Sequence, residues 1–437
     1  MAATDSPKKD YNIAIVGGGI SGLTLAITLL RHNIPITIYE AAAHFAEIGA
    51  GVYLGPNAGR AMKLMSPAIH SAFLKTRTVN QWKEKENSWF TIRVGDERKA
   101  DAQGYVREGK KVGDALFDVP IEADGDKGGV YRAAFLDELV KDVPSHLARF
   151  GKRLTSLSDA DDGSGDLVLH FADGTRAQHA AVIGCDGIKS KTRPWLLGKD
   201  DAASTAVYSG KYAYRGLIPM DKAVALLGEE VAANSSIFMG YHGHILTFPV
   251  QAGKTMNVVA FNSSSTWDDE KWVVTTSKEA MQTDFHAWGP QVQKIIGAME
   301  KPDVWALFMH PPAQTFTKGR LCLLGDAAHA TTPHQGAGAG MCIEDSYVLS
   351  ELLKDAEGIE DVQKAFRAFD VVRRERTQRN VTTSKEAGML YDLELFDADL
   401  DKIQESFLTR MQWIWEFDIE AQVQEGLRVM RGQGADA

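Results

Sequence analysis

Ile13-Ala14-Ile15-Val16-Gly17-Gly18-Gly19-Ile20-Ser21-Gly22-Leu23 decides how this chain begins to fold. The apolar run Ile13 to Val16 is the pattern of a short strand buried on both faces. Glycines break it, and a helical stretch follows with Leu23, Ala26, Leu29 and Leu30 on one face. Pro35 marks the restart, and Ile36 to Tyr39 form a second strand that ends at Glu40. In this βαβ unit Gly17-x-Gly19-x-x-Gly22 reads as a dinucleotide fingerprint. Gly17 permits the tight turn, Gly19 lets a pyrophosphate approach the backbone, and Gly22 allows close helix packing. The helix N-terminus favours phosphate charge, and Glu40 lies near the ~20-residue offset of an acid that accepts from ribose hydroxyls. The fingerprint alone does not separate NAD from FAD.

The rest of the composition narrows the class. A chain of 437 residues spans two to three ordinary domains and can bury a core without staples. Its formal net charge of -10 argues against nonspecific nucleic-acid binding, and an anionic ligand would need local positive groups. Cys185, Cys322 and Cys342 are too scattered for a disulfide framework or a metal site, so no metal is expected and a reducing, cytoplasmic setting is. No run approaches the ~18 apolar residues of a membrane span, and Met1 to Asp10 lack the apolar core of a secretory signal. The 40 glycines are a mild excess whose positions carry the argument.

Residues 76–130 are polar and charged and read as an inserted, partly irregular segment. Helical periodicity returns from Arg132 to Leu147, and a meander runs to Cys185-Asp186-Gly187. Residues 205–285 read mostly as strands, a second domain built on an antiparallel sheet. A buried strand, Leu321 to Leu324, precedes Gly325-Asp326 and a glycine-rich stretch from His334 to Gly340; the chain beyond Ile343 is largely helical.

The order of these motifs carries a resemblance. The fingerprint, Asp186-Gly187 after a strand, and Gly325-Asp326 followed by Pro333-His334-Gln335-Gly336 occur together over the full chain. In this the chain resembles the single-component FAD-dependent aromatic hydroxylases. Within that family it is most similar to the salicylate hydroxylases, through Glu47 to Gly51, Gly243 to Val250, Asn257 to Phe261 and Gly325 to Gly340. The resemblance implies an α/β fold: a Rossmann-like FAD-binding domain of the glutathione-reductase type, an inserted antiparallel-sheet substrate domain, and a helical C-terminus. The expected boundaries are 1–75, 105–190 and 290–385 for FAD, 76–104 and 191–289 for substrate, and 386–437 for the C-terminal helices. It also implies that Glu40 binds the adenosine ribose, Arg132 lies along the ribityl phosphate, and Asp326 binds the ribityl chain. Asp186 and Gly187 organise the meeting point of flavin and nicotinamide. Gly51 is a further cofactor contact, and Gly336, Gly338, Ala339 and Gly340 present backbone to the flavin edge, where negative charge develops on reduction. One fingerprint leaves NADH or NADPH to bind transiently.

On the substrate side, Arg215 can hold a carboxylate or phenolate, or serve a structural ion pair. His334 can orient or deprotonate a phenol, or be a satisfied loop histidine. His242 and His244 alternate onto one strand face without an evident third metal ligand. Trp89, Phe248 and Phe261, with His244, are candidates to line an aromatic pocket or simply core. By the resemblance, a monomer or homodimer uses NAD(P)H and molecular oxygen to hydroxylate a phenolic acid, turning salicylate into catechol with loss of carbon dioxide. Fungal relatives that dearomatise larger polyketide-type phenols carry a tyrosine where this chain has Phe248, which counts against that alternative. A non-catalytic NAD-binding Rossmann protein is the other alternative.

Overall fold

The computed structural model describes residues 9, 11–45, 51–96, 110–300 and 303–433. Ile13–Val16 is wholly buried and pairs in parallel with Ile36–Tyr39 on one side and Ala181–Gly184 on the other. Leu321–Leu323 extends the same parallel array beyond Ala181–Gly184. Among the described residues, short edge strands at Ala148–Arg149 and Thr317–Lys318 complete a six-stranded sheet. Helices Ile20–Arg31 and Gly338–Leu353, from opposite ends of the chain, pack against each other. The fingerprint glycines behave as their spacing predicts. Gly17 has φ +110°, and a Cβ there would lie 2.3 Å from the Cys185 carbonyl oxygen; one at Gly22 would lie 2.0 Å from that of Gly17.

A larger sheet stands beside this layer. Among the described residues its strand order is Val273–Thr275, Asp303–Met309, Val207–Pro219, Thr255–Ser263, Gly243–Val250, Ser236–Gly240, Ser88–Val94 and Ala115–Pro120. Within the segment 76–130, read as partly irregular, Ser88–Val94 and Ala115–Pro120 are paired strands. Two expectations need correction here. The sheet is mixed, because Ser236–Gly240 and Ser88–Val94 run parallel. Ala115–Pro120 and Asp303–Met309 join this sheet, although both were expected within the FAD-binding segments.

A small sheet of Gly51–Leu54, Gly128–Tyr131 and Arg77–Thr78 lies between the two layers, and its Gly129 packs against Phe248 of the large sheet. The helix Ile359–Tyr391 runs unbroken through the expected boundary at 386. It is locked to Gly338–Leu353 by buried charges: Arg373 pairs with Glu344 and Asp345, and Arg376 with Glu344. Among the described residues, no helix is long and apolar enough to cross a membrane.

Candidate active site

A cavity of about 490 Å³ opens between the six-stranded and the large sheet. One wall is backbone: Gly19, Ile20 and Ser21 of the fingerprint turn, Gly51 to Tyr53, Gly187, and Gly336, Gly338 and Ala339. The opposite wall is side chains of the large sheet, whose pairing register sets their rows. Arg215, Val259 and Leu246 are cross-strand partners, as are Asn257 with Phe248 and Phe261 with Ala213, which in turn pairs with Trp305. Alternation along each strand turns these positions to one face.

Two of the helices that begin at the cavity do so without a side-chain cap. Ile20–Arg31 starts after Gly19 and Gly338–Leu353 after Ala337, and neither has an acidic residue in its first turn. Unsatisfied N–H groups at two such ends can each hold an anion. The charged side chains that line the cavity are Arg132, Arg215 and Asp326, so its local balance is positive inside a chain of net charge -10. The Gly51 position is also a cradle, because a Cβ there would meet the Phe248 ring at 2.7 Å and Asn257 at 2.8 Å. A long dianionic cofactor fits these features. The fingerprint end would hold its pyrophosphate, Arg132 and Asp326 the middle, and the Gly336–Ala339 turn its ring system.

Arg215 lies over the Trp305 ring at 4.7 Å, and its Nε has no hydrogen-bond partner. Among the described residues no carboxylate pairs with it, so the structural ion pair is not what holds this side chain. Burial, with Arg132 nearby, lowers its pKa to about 10, which leaves it charged at neutral pH. His334 is buried with neither ring nitrogen hydrogen-bonded, so it is not a satisfied loop histidine. Burial and the neighbouring His244, Lys211 and Arg410 hold its pKa well below the usual histidine value. It is therefore neutral at pH 7. Trp89, Phe248 and Phe261 line the cavity.

Other expected residues stand elsewhere. His244 is fully buried behind the cavity wall, stacked on Phe261 at 4.2 Å and hydrogen-bonded through Nδ1 to Asp392 at 2.6 Å. His242 does not share its strand face: it occupies a left-handed turn before the strand and is exposed. Asp186 accepts from the backbone N–H groups of Lys191 and Thr192 and from the Thr192 hydroxyl, leaving Gly187 to line the cavity. Glu40 accepts from the N–H groups of Gly18 and Ala42, which ties it to the fingerprint turn. Gly340 faces Asn57 and Ala58, a packing role that Gly22 shares. Residues 47–50, including Gly49, lie outside the described residues. Sequence reading missed Trp305, Tyr53 and Asn257. Their signal was strand alternation, but the register that brings them together joins distant segments.

A Rossmann-type layer whose glycine-rich cavity is closed by an aromatic sheet is the architecture of a dinucleotide-dependent enzyme. Comparison with known proteins agrees. A family model described as an FAD binding domain matches residues 134–384, and one described as an NAD(P)-binding Rossmann-like domain matches residues 15–52. The 6-methylsalicylate 1-monooxygenase of Aspergillus terreus is 42% identical over 423 residues, covering 96% of this chain and 92% of that protein. A salicylate hydroxylase of Pseudomonas putida is 36% identical over 97% of this chain and 96% of its own. A solved salicylate hydroxylase substrate complex superposes with a TM-score of 0.80 at 30% identity, covering 96% of this chain and 98% of that one. The chain belongs to the FAD-dependent aromatic monooxygenases. It is an enzyme with FAD as cofactor and NAD(P)H as co-substrate, which replaces the alternative of a non-catalytic NAD-binding protein.

Proposed function

We propose that this enzyme hydroxylates a phenolic acid of the salicylate class, releasing carbon dioxide where the attacked carbon bears the carboxylate. The observation that carries the reading is Arg215, a charged guanidinium without a carboxylate partner among the described residues, laid over Trp305 in an aromatic cavity. The redox chemistry, hydride acceptance from NAD(P)H and activation of molecular oxygen, is supplied by FAD when bound. The chain's own groups do the rest. Arg215 holds the substrate carboxylate by charge-assisted hydrogen bonds. Trp89, Phe248, Phe261 and Trp305 exclude water and fix the ring plane. Neutral His334 orients the phenol by accepting its hydrogen bond, which adds electron density to the ring carbons ortho and para to the oxygen. For salicylate the reactive ortho carbon carries the carboxylate. Oxygen transfer there breaks the ring–carboxylate bond, and catechol, carbon dioxide, water and oxidised NAD(P) result. The helix end at Ala337 stabilises negative charge that builds on the reduced ring system.

The apolar wall of Trp89, Phe90, Leu246 and Val259 also suits a ring with an alkyl substituent. Phe248 brings no hydroxyl to the cavity, which places dearomatisation of larger phenols behind hydroxylation. We assign the enzyme to the cytoplasm on its buried free thiols Cys185, Cys322 and Cys342. NADH and NADPH consumption is measured with and without salicylate and 6-methylsalicylate, with product and carbon dioxide identified. Stimulated oxidation with catechol formation is expected from salicylate; a coenzyme oxidation rate that neither acid raises overturns the reading.

A further inference from the structure

Tyr53 brings to the catalytic cavity the one phenolic hydroxyl among the described residues that line it. Burial raises its pKa with no charged or hydrogen-bonding group acting on it, so the hydroxyl stays protonated and is a donor. Its place follows from strand register. Tyr53 pairs with Gly129 across the small sheet and stands two residues after Gly51, so the three positions share a face. The two glycines on that face yield their space to Phe248, whose ring a Cβ at Gly51 would meet at 2.7 Å and one at Gly129 at 2.9 Å. Tyr53 is the side chain that this face sets beside Phe248. Trp89 flanks it with ring centroids 6.4 Å apart, and a Cβ at Gly336 of the flavin turn would lie 3.4 Å from the Tyr53 Cβ.

The large sheet gives the cavity a scale. Phe248 pairs with Asn257, Leu246 with Val259 and His244 with Phe261, so Asn257, Val259 and Phe261 mark successive rows along one strand. Arg215 belongs to the middle row as the partner of Val259. His334 stands at the Phe261 row, with ring centroids 4.8 Å apart. Tyr53 stands at the other end, where Gly51 and Gly129 enclose Phe248. The outer rows are four residues apart on that strand, about 13 Å. A ring whose carboxylate is held at Arg215 and whose phenol faces His334 therefore turns its far edge toward Tyr53. With only hydrogen or methyl on that edge, the Tyr53 donor is left unsatisfied once water is excluded. An oxygen there satisfies it.

We propose that Tyr53 sets the ring specificity of this enzyme by donating a hydrogen bond to a second ring oxygen on the edge away from the phenol, at carbon 5 or 6 of a salicylate. This rests on the phenolic-acid reading above and narrows it to salicylates that carry a further oxygen. Phe248 brings no such donor, so selection falls to a short strand of the small sheet, far from Arg215 in sequence. A site that pairs a substrate hydroxyl rejects the analogue lacking it far more strongly than an apolar pocket rejects one methylene too few or too many.

The test titrates FAD-loaded enzyme, without NAD(P)H, with salicylate and with 2,3-, 2,5- and 2,6-dihydroxybenzoate, reading the change in flavin absorbance. The unaltered enzyme is expected to bind 2,5- or 2,6-dihydroxybenzoate ~10-fold more tightly than salicylate. The 2,3-isomer, whose extra hydroxyl lies beside the phenol, is expected to match salicylate. Tyr53→Phe is expected to erase the preference while binding salicylate within about twofold of the unaltered enzyme. A preference that survives Tyr53→Phe, or that the unaltered enzyme lacks, overturns the role of Tyr53 and leaves the phenolic-acid reading standing. A parallel loss of affinity for all the acids, or a fall in bound flavin, also overturns it, by making Tyr53 a packing or cofactor contact. Failure of the unaltered enzyme to bind any of these acids overturns the phenolic-acid reading and this one with it.

Discussion

Arg215 is the residue on which substrate affinity turns. Arg215→Gln keeps polarity but removes the charge, and a charge-assisted contact of about 2 kcal/mol corresponds to a roughly 30-fold rise in KM. Steady-state kinetics with salicylate check this, and kcat is expected to change less because the carboxylate is held equally before and during reaction. Gly51 is the matching residue on the cofactor side. In Gly51→Ala the new methyl would stand 2.7 Å from Phe248, so the enzyme is expected to purify with less bound flavin, read as visible absorbance per protein. Both positions stand out in the sequence, Arg215 from its place in a strand and Gly51 through the resemblance. The Trp305 ring beneath Arg215 does not, because only the pairing of Val207–Pro219 with Asp303–Met309 brings it there. The role of His244 was misread for a related reason. Alternation gave its face correctly, but only the tertiary position of Asp392 shows that it sits behind the wall.

At the scale of elements, the junction of Gly338–Leu353 with Ile359–Tyr391 does the most to place the flavin turn. Burial pushes the Glu344 carboxyl up, but Arg376 and Arg373 outweigh it and hold its pKa at about 2. Glu344→Gln would leave Arg376 buried with its carboxylate partner gone, a loss of about 3 kcal/mol by analogy with other broken buried pairs. A lower urea midpoint at unchanged slope checks it. Gly388 sets two effects against each other in the long helix. Alanine would gain about 1 kcal/mol of helix propensity but would collide with the His334 ring. The collision is expected to win for activity: Gly388→Ala folds, retains flavin and turns over slowly. The run of helix beyond Ile343 was readable from periodicity, whereas its passage through residue 386 was not. A helix whose buried face is lined by Arg373, Arg376 and Asn380 carries no clean apolar stripe.

For the whole molecule, acid is the weak side. Burial lowers His179 to about 4, and burial with Arg193 nearby lowers His310 to about 3; His334 is also held down by burial. Each is neutral in the fold and takes up a proton when unfolded below the ordinary histidine value of 6.5. The unfolded chain then binds more protons, so stability must rise with pH across this window. Their contribution is complete above 6.5 and is lost as pH falls toward about 4 and then 3. Thermal unfolding in the FAD-loaded enzyme is expected to shift steadily to lower temperature from pH 6.5 downward. A flat profile between pH 6.5 and 4.5 would falsify this. The layered architecture itself was legible through the family resemblance that the order of the glycine motifs carries. The sharing of strands between sequence-distant segments was not, since Ala115–Pro120 and Asp303–Met309 find their partners only in the folded sheet.

The two uncapped helix starts at Gly19 and Ala337 belong to opposite ends of the chain. A cofactor that satisfies both behaves as a reversible cross-link closing a loop of most of the polypeptide, much as a disulfide would in a secreted protein. Ligand that binds only the native chain adds stability in proportion to the logarithm of its concentration. Flavin supply would therefore govern how much of this enzyme survives in the cell as well as how fast each molecule works.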